Sequence, residues 1–181
     1  MGFKYRVYDH SLPYFVTLTV VESIFVFASR KHKMIVVDSL RYCQQKKGLE
    51  IFSWCLMSNH LHMIIRADGK DKIPDIIRDF KRFTCKAITL EMQNNTDQGS
   101  VMTMYSFYDA ARRHPKSDTF KMWQDGYHPV MLYSEWFTRQ KLNYIHKNPV
   151  KAGMVSCPWD YEFSSARNYG DLPGLLEVSV I

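Results

Sequence analysis

The sequence predicts an α+β fold: an antiparallel sheet with helices packed on one face and a further helix near the C-terminus. Three observations carry this reading. Short runs rich in β-branched and aromatic residues alternate with longer stretches whose apolar residues recur at helical spacing. Two of the runs are separated only by Ser58-Asn59, a turn pair that makes them an antiparallel hairpin. No internal repeat or linker interrupts the chain, and its 181 residues are expected to form one domain spanning 1–181.

The elements follow in order. Residues 14–21 (YFVTLTVV) read as a strand, with Pro13 just before it, where a missing N–H is tolerated. Residues 29–47 read as a helix on the spacing of Ile35, Val36, Leu40 and Cys43, ended by Gly48. Residues 49–57 (LEIFSWCLM) and 60–66 (HLHMIIR) form the hairpin. Residues 73–92 form a long helix whose apolar stripe is Ile73, Ile76, Ile77, Phe80, Phe83 and Ile88, with Arg78, Lys81, Arg82 and Lys86 on the other face. Residues 94–100 read as a polar loop, 102–108 as a short strand or helix, and 110–118 as a basic connector. A fourth strand is expected at 120–124. The last helix, 134–146, is opened by Ser134 and closed by Pro149 and Gly153, and the tail is anchored by Trp159, Tyr161 and Phe163. Strand, helix, strand, strand, helix, strand, helix is the ferredoxin-like order with one added helix.

Composition narrows the function. Twenty-four Lys and Arg against eighteen Asp and Glu give a net charge of +6, which suits a polyanionic partner but also a merely soluble basic protein. The four cysteines make no close zinc-type pair and are too few for a disulfide framework. No stretch approaches a membrane span and none of the first twenty residues form a signal segment, so a cytoplasmic protein is expected.

Two segments carry chemistry. In a strand, His60 and His62 project to the same side while Leu61 points away, and two converging imidazoles suit a divalent ion. In the last helix, Tyr144 and Asn148 are four apart and share a face, with Lys141, Lys147 and Lys151 nearby. Positive charge beside a tyrosine favours phenolate, and an amide oxygen is a hard ligand able to join a metal site. Asn148 precedes Pro149, which biases it away from helical angles. The basic groups Lys81, Arg82 and Lys86, then Arg112, Arg113 and Lys116, together with Lys147, are candidates to follow a nucleic-acid backbone.

An ordered set of motifs resembles the HUH single-tyrosine transposases, U being a hydrophobic residue, and among them the REP-associated tyrosine transposases. The set comprises 54–65 (WCLMSNHLHMII), 80–84 (FKRFT), 123–129 (WQDGYHP), 141–155 (KLNYIHKNPVKAGMV) and 163–169 (FSSARNY), and spans residues 14–169. The resemblance implies Tyr144 as nucleophile, and His60, His62 and Asn148 around Mg²⁺ or Mn²⁺. Better-studied relatives often carry Gln where Asn148 stands. It also implies single-stranded, hairpin-bearing DNA as substrate, and some relatives work as homodimers. Three other readings stay open. One is a non-catalytic single-strand-binding module, and one a domesticated descendant that keeps the chemistry. The third is a hydrolase using the same histidines, which would want a nearby acid; Asp68 and Asp71 are nearest and fall beyond the strand.

Overall fold

A computed structural model describes residues 7, 9, 11–95, 97–114 and 119–181. Among the described residues four antiparallel strands, β1 (Tyr14–Thr19), β2 (Leu49–Leu56), β3 (His60–Ala67) and β4 (Val130–Met131), lie in the order β2-β3-β1-β4. Strand β3 is therefore central, with Thr17 opposite His62 on one side and Cys55 opposite His62 on the other. Alternation divides the sheet. Tyr14, Val16, Leu18, Leu61 and Met63 point to one face and are fully buried. That side holds the main core with α1 (Arg30–Lys47) and α2 (Ile73–Gln93), which pack on each other. Phe15, Thr17, His60 and His62 point to the opposite face, which α4 (Glu135–Lys151) covers in part.

Local chemistry explains the boundaries. Gly48 ends α1 at φ +66, and a Cβ there would meet the backbone of Gly69 at 2.8 Å, so the α1–β2 corner admits no side chain. The hairpin closes with the Met57 N–H donating to the His60 carbonyl at 2.8 Å. In α2, Phe83 is not part of the inward stripe but 59% exposed. Thr84 takes the inward position instead, donating to the Phe80 carbonyl and accepting from the Trp123 indole at 2.9 Å.

One open reading is decided, and further expectations are corrected. The undecided stretch 102–108 lies within a helix, α3 (Gln98–Arg112). Its start was hidden in the polar run, where Asp97 caps the helix by accepting from the Ser100 N–H and hydroxyl. Residues 120–124 are not a strand. They run beside β1 with one bridge, Val20 to Trp123, and Gly126 (φ +72) and His128 (φ +45) break the pleat before β4. Pro149 does not end the last helix, which continues to Lys151. The end is a Schellman turn at Gly153 (φ +68), with Met154 N–H bonded to the Pro149 carbonyl and Gly153 N–H to that of Val150. Finally, Tyr161 and Phe163 anchor the tail as expected, but Trp159 is half exposed.

The C-terminal segment runs along β2. The Leu56 N–H donates to Phe163, the Ser165 N–H to Trp54 and the Ser179 N–H to Ile51, while the Tyr169 hydroxyl donates to the Phe52 carbonyl. No helix among the described residues is long and apolar enough to cross a membrane.

Candidate functional site

Strand alternation and the hairpin bring the two imidazoles together, with ring centroids 4.6 Å apart. Each Nδ1 already has a partner. His60 Nδ1 lies 2.7 Å from Asn59 Oδ1, and His62 Nδ1 lies 2.8 Å from Thr17 Oγ1. The Asn59 amide is oriented by its own Nδ2, which donates to the Ser23 carbonyl. Its oxygen therefore accepts from His60, which fixes the proton on Nδ1 and leaves the Nε2 lone pair available. The Thr17 hydroxyl permits the same tautomer at His62. Burial holds His60 below the ordinary imidazole range. His62, only 5% exposed, is pushed down to about 3, by burial first and then by the charges of His60 and Lys141. Both rings are thus neutral at physiological pH, the form that ligates metal, and each has the outer hydrogen bond typical of a ligating histidine.

Tyr144 of α4 reaches this pair within a single chain. Its ring centroid lies 5.2 Å from that of His62 and 6.0 Å from that of Phe15, while Phe15 stacks on His62 at 5.5 Å. The phenol is not buried in packing; the residue is 40% exposed. Lys141 and Lys151 set their ammonium groups 5.9 and 5.6 Å from the Tyr144 ring centroid. Asn148 is half-buried one turn further on. Because α4 continues through Pro149, Asn148 keeps helical geometry and stays on the Tyr144 face. Among the described residues no third His, Cys, Asp or Glu joins the pair. Cys55, directly across from His62, has its thiol pushed up to about 12 by burial, only partly offset by a hydrogen bond with Ser164 and the charge of Lys33, and stays protonated.

A buried clamp that the sequence reading did not single out holds α4 on the sheet. His146 Nε2 lies 3.1 Å from Ser53 Oγ in β2 and 2.9 Å from Ser165 Oγ in the tail. Ser165 also accepts from the Trp54 N–H at 2.9 Å, and Tyr169 packs edge-on against the His146 ring. His146 stands two residues after Tyr144, so the clamp fixes the helix where Tyr144 faces His62. Its only sequence signal is a histidine two residues after Tyr144; nothing local pairs it with serines 93 and 19 positions away.

The basic candidates divide. Lys81 is turned inward: its ammonium donates to the Gln124 and Gly126 carbonyls, both at 2.6 Å, and burial lowers it to about 8. It fastens the segment after α3 to α2 rather than reaching for a phosphate. Arg113 is held in ion pairs with Glu22 and Asp109. Arg82, Lys86, Arg112 and Lys147 are exposed, and Lys147 lies on the helix that carries Tyr144. Lys116 lies outside the described residues.

The antiparallel sheet with its covering helices, among the described residues, is a fold shared with a solved transposase. The chain is similar to the solved structure of a REP-associated tyrosine transposase bound to a REP hairpin, at 17% identity and a TM-score of 0.68, covering 100% of this chain and 94% of that one. A second solved chain, from Deinococcus radiodurans R1, shows only a partial likeness, at 19% identity and a TM-score of 0.42, with 78% of this chain and 92% of that chain covered. No curated protein matches the sequence. The profile of the IS200-like transposases matches residues 10–110, more than half of the chain, and the protein belongs to that family. His60 and His62 fall inside the matched stretch, whereas Tyr144 and Asn148 lie beyond it.

Proposed function

We propose that this transposase-family protein nicks and rejoins single-stranded, hairpin-bearing DNA through a 5′-phosphotyrosine at Tyr144. The observation that carries the reading is the meeting of an exposed phenol with two neutral imidazoles in one chain, the phenol ring 5.2 Å from that of His62. The hairpin substrate rests on the likeness to the REP-associated transposase, whose structure was determined with a REP hairpin.

His60 and His62, joined by Asn148, would hold a divalent ion such as Mg²⁺ or Mn²⁺. Their free Nε2 atoms, neutral rings and outer hydrogen bonds fit that role. When bound, such an ion polarises a phosphate oxygen as a Lewis acid. Lys141 and Lys151 bring positive charge to the same place. Tyr144 Oη attacks phosphorus in line, and the bond to the 3′ oxygen breaks. The phenol gives up its proton, and the departing 3′ oxygen takes one up as a free hydroxyl. Because the phosphodiester is exchanged for a phosphotyrosine, another 3′-hydroxyl can reverse the step on a new strand without a nucleotide cofactor. A water-using hydrolase finds no support: no carboxylate accompanies the pair among the described residues.

The test is a covalent-adduct assay on a hairpin-bearing single strand. Tyr144→Phe should abolish the adduct and leave DNA binding nearly intact. Adduct persisting in that variant, or normal nicking in EDTA, would remove Tyr144 or the metal from the scheme.

A further inference from the structure

Two large aromatic side chains stand almost bare at the start of α4. Tyr133 is 73% exposed and Trp136 72%. Single exposed aromatics are ordinary on protein surfaces, but Tyr133 opens a row of rings that leads into the site, and Trp136 stands on the same first turn of the helix. The Tyr133 ring stacks on Phe137, with centroids 5.4 Å apart and 29° between the planes. One turn further, the Lys141 ammonium lies 5.4 Å from the Phe137 centroid, 4.8 Å from that of Phe15 and 5.9 Å from that of Tyr144. Phe15 then stacks on His62. A continuous series of ring faces, bridged by one cation, therefore joins the exposed end of α4 to the histidine pair.

From this row we infer that the N-terminal end of α4 is a stacking platform for unpaired bases of single-stranded DNA adjoining the phosphate that Tyr144 attacks. The inference rests on the strand-cleavage reading for where that phosphate lies, while the platform has its own evidence in the rings. Aromatic faces interleaved with cations are the general means of holding single strands, because every base has a π face and every linkage a negative charge. The acid in this turn does not oppose the strand: Glu135 is paired with Arg139 at 2.7 Å, leaving Lys141, Lys147 and Lys151 as the local excess charge. A second protein chain would be drawn to the bare rings, but the Lys141 ammonium further along the same row favours a polyanion. From Glu135, the first residue of α4, to Tyr144 the helix rises about 14 Å, which limits the stacked run beside it to about four nucleotides at about 3.4 Å each.

The experiment uses the full chain and a labelled oligo(dT) ten-mer, with an abasic ten-mer of equal charge as comparison. The dT ten-mer should bind at least about tenfold more tightly than the abasic one and quench Trp136 fluorescence. The double variant Tyr133→Ala, Trp136→Ala should lose about tenfold in affinity for the dT ten-mer, while Tyr133→Phe keeps it. Tyr42→Ala, an exposed tyrosine on α1, should have no effect. At more than 70% exposure neither ring supports the core, and an unchanged melting temperature verifies that the double variant folds. Equal binding of the two ten-mers, or a double variant that binds dT like the parent, overturns the platform. So does a double variant whose only change is loss of self-association, which would assign the rings to a second copy. If the parent forms no tyrosine adduct yet dT binding still needs both rings, the platform stands and the strand-cleavage reading falls.

Discussion

The β2–β3 hairpin and helix α4 reach the same site by different physical routes. In the hairpin, His60 and His62 are brought together by covalent alternation, and their outer partners Asn59 and Thr17 come from the adjacent residue and the neighbouring strand. In α4, Tyr144 is positioned by contacts between segments far apart in sequence: His146 with Ser53 in β2 and Ser165 in the tail. One half of the site is set by local geometry and the other by tertiary packing. The two halves should therefore fail in different ways.

The largest effect is expected on the hairpin side. His62→Ala should lower metal-dependent cleavage by about 10²- to 10³-fold or more, since a bound metal contributes several kcal/mol, with little change in folding. An adduct assay across a manganese titration checks this. Should the loss instead track a fall in melting temperature, the histidine is structural and the contrast disappears.

The next effect belongs to the α4 side and concerns stability. Burial lowers His146 to about 4 in the folded chain, below its ordinary value. Between that value and about 6.5 the unfolded chain binds the proton more readily. The stability from keeping this ring neutral is thus fully present above about pH 6.5 and is lost as pH falls toward 4, up to about 3 kcal/mol. Urea midpoints measured from pH 7 to 4 should fall more steeply in the parent than in His146→Leu. Parallel curves would show that the clamp does not couple to folding.

A smaller effect sharpens the hairpin half. Thr17→Val removes the outer hydrogen bond of His62 and should weaken metal binding by about 10- to 100-fold, read by calorimetry with Mn²⁺. The smallest is on the surface of α4, where Lys147→Ala should weaken single-strand binding uniformly across sequences and reduce the slope of log affinity against log salt by about one.

The same contrast explains what could be read from the chain. The α1–β2–β3–α2 order, the paired histidines and the shared face of Tyr144 and Asn148 follow from periods of two and 3.6, which the sequence displays directly. The start of α3 was obscured because Asp97, a good cap, sits in a run of polar residues that also suits a loop. The strand expected at 120–124 is reduced to a single bridge of Trp123 to Val20, and the positive φ of Gly126 and His128 breaks the pleat between it and β4. Lys81 looked like a solvent-facing cation because helical spacing cannot show two carbonyls brought to it from residues 124 and 126. The His146 clamp depends on partners 93 and 19 positions away, beyond any local pattern.

The C-terminal segment has one more consequence. Strand β2 ends the sheet on its side, and a bare outer strand is a template on which another chain can add. Here residues 163–179 occupy backbone groups from Ile51 to Leu56. The polypeptide thereby caps its own sheet margin. Shortening the tail should expose that margin and turn it into an aggregation surface.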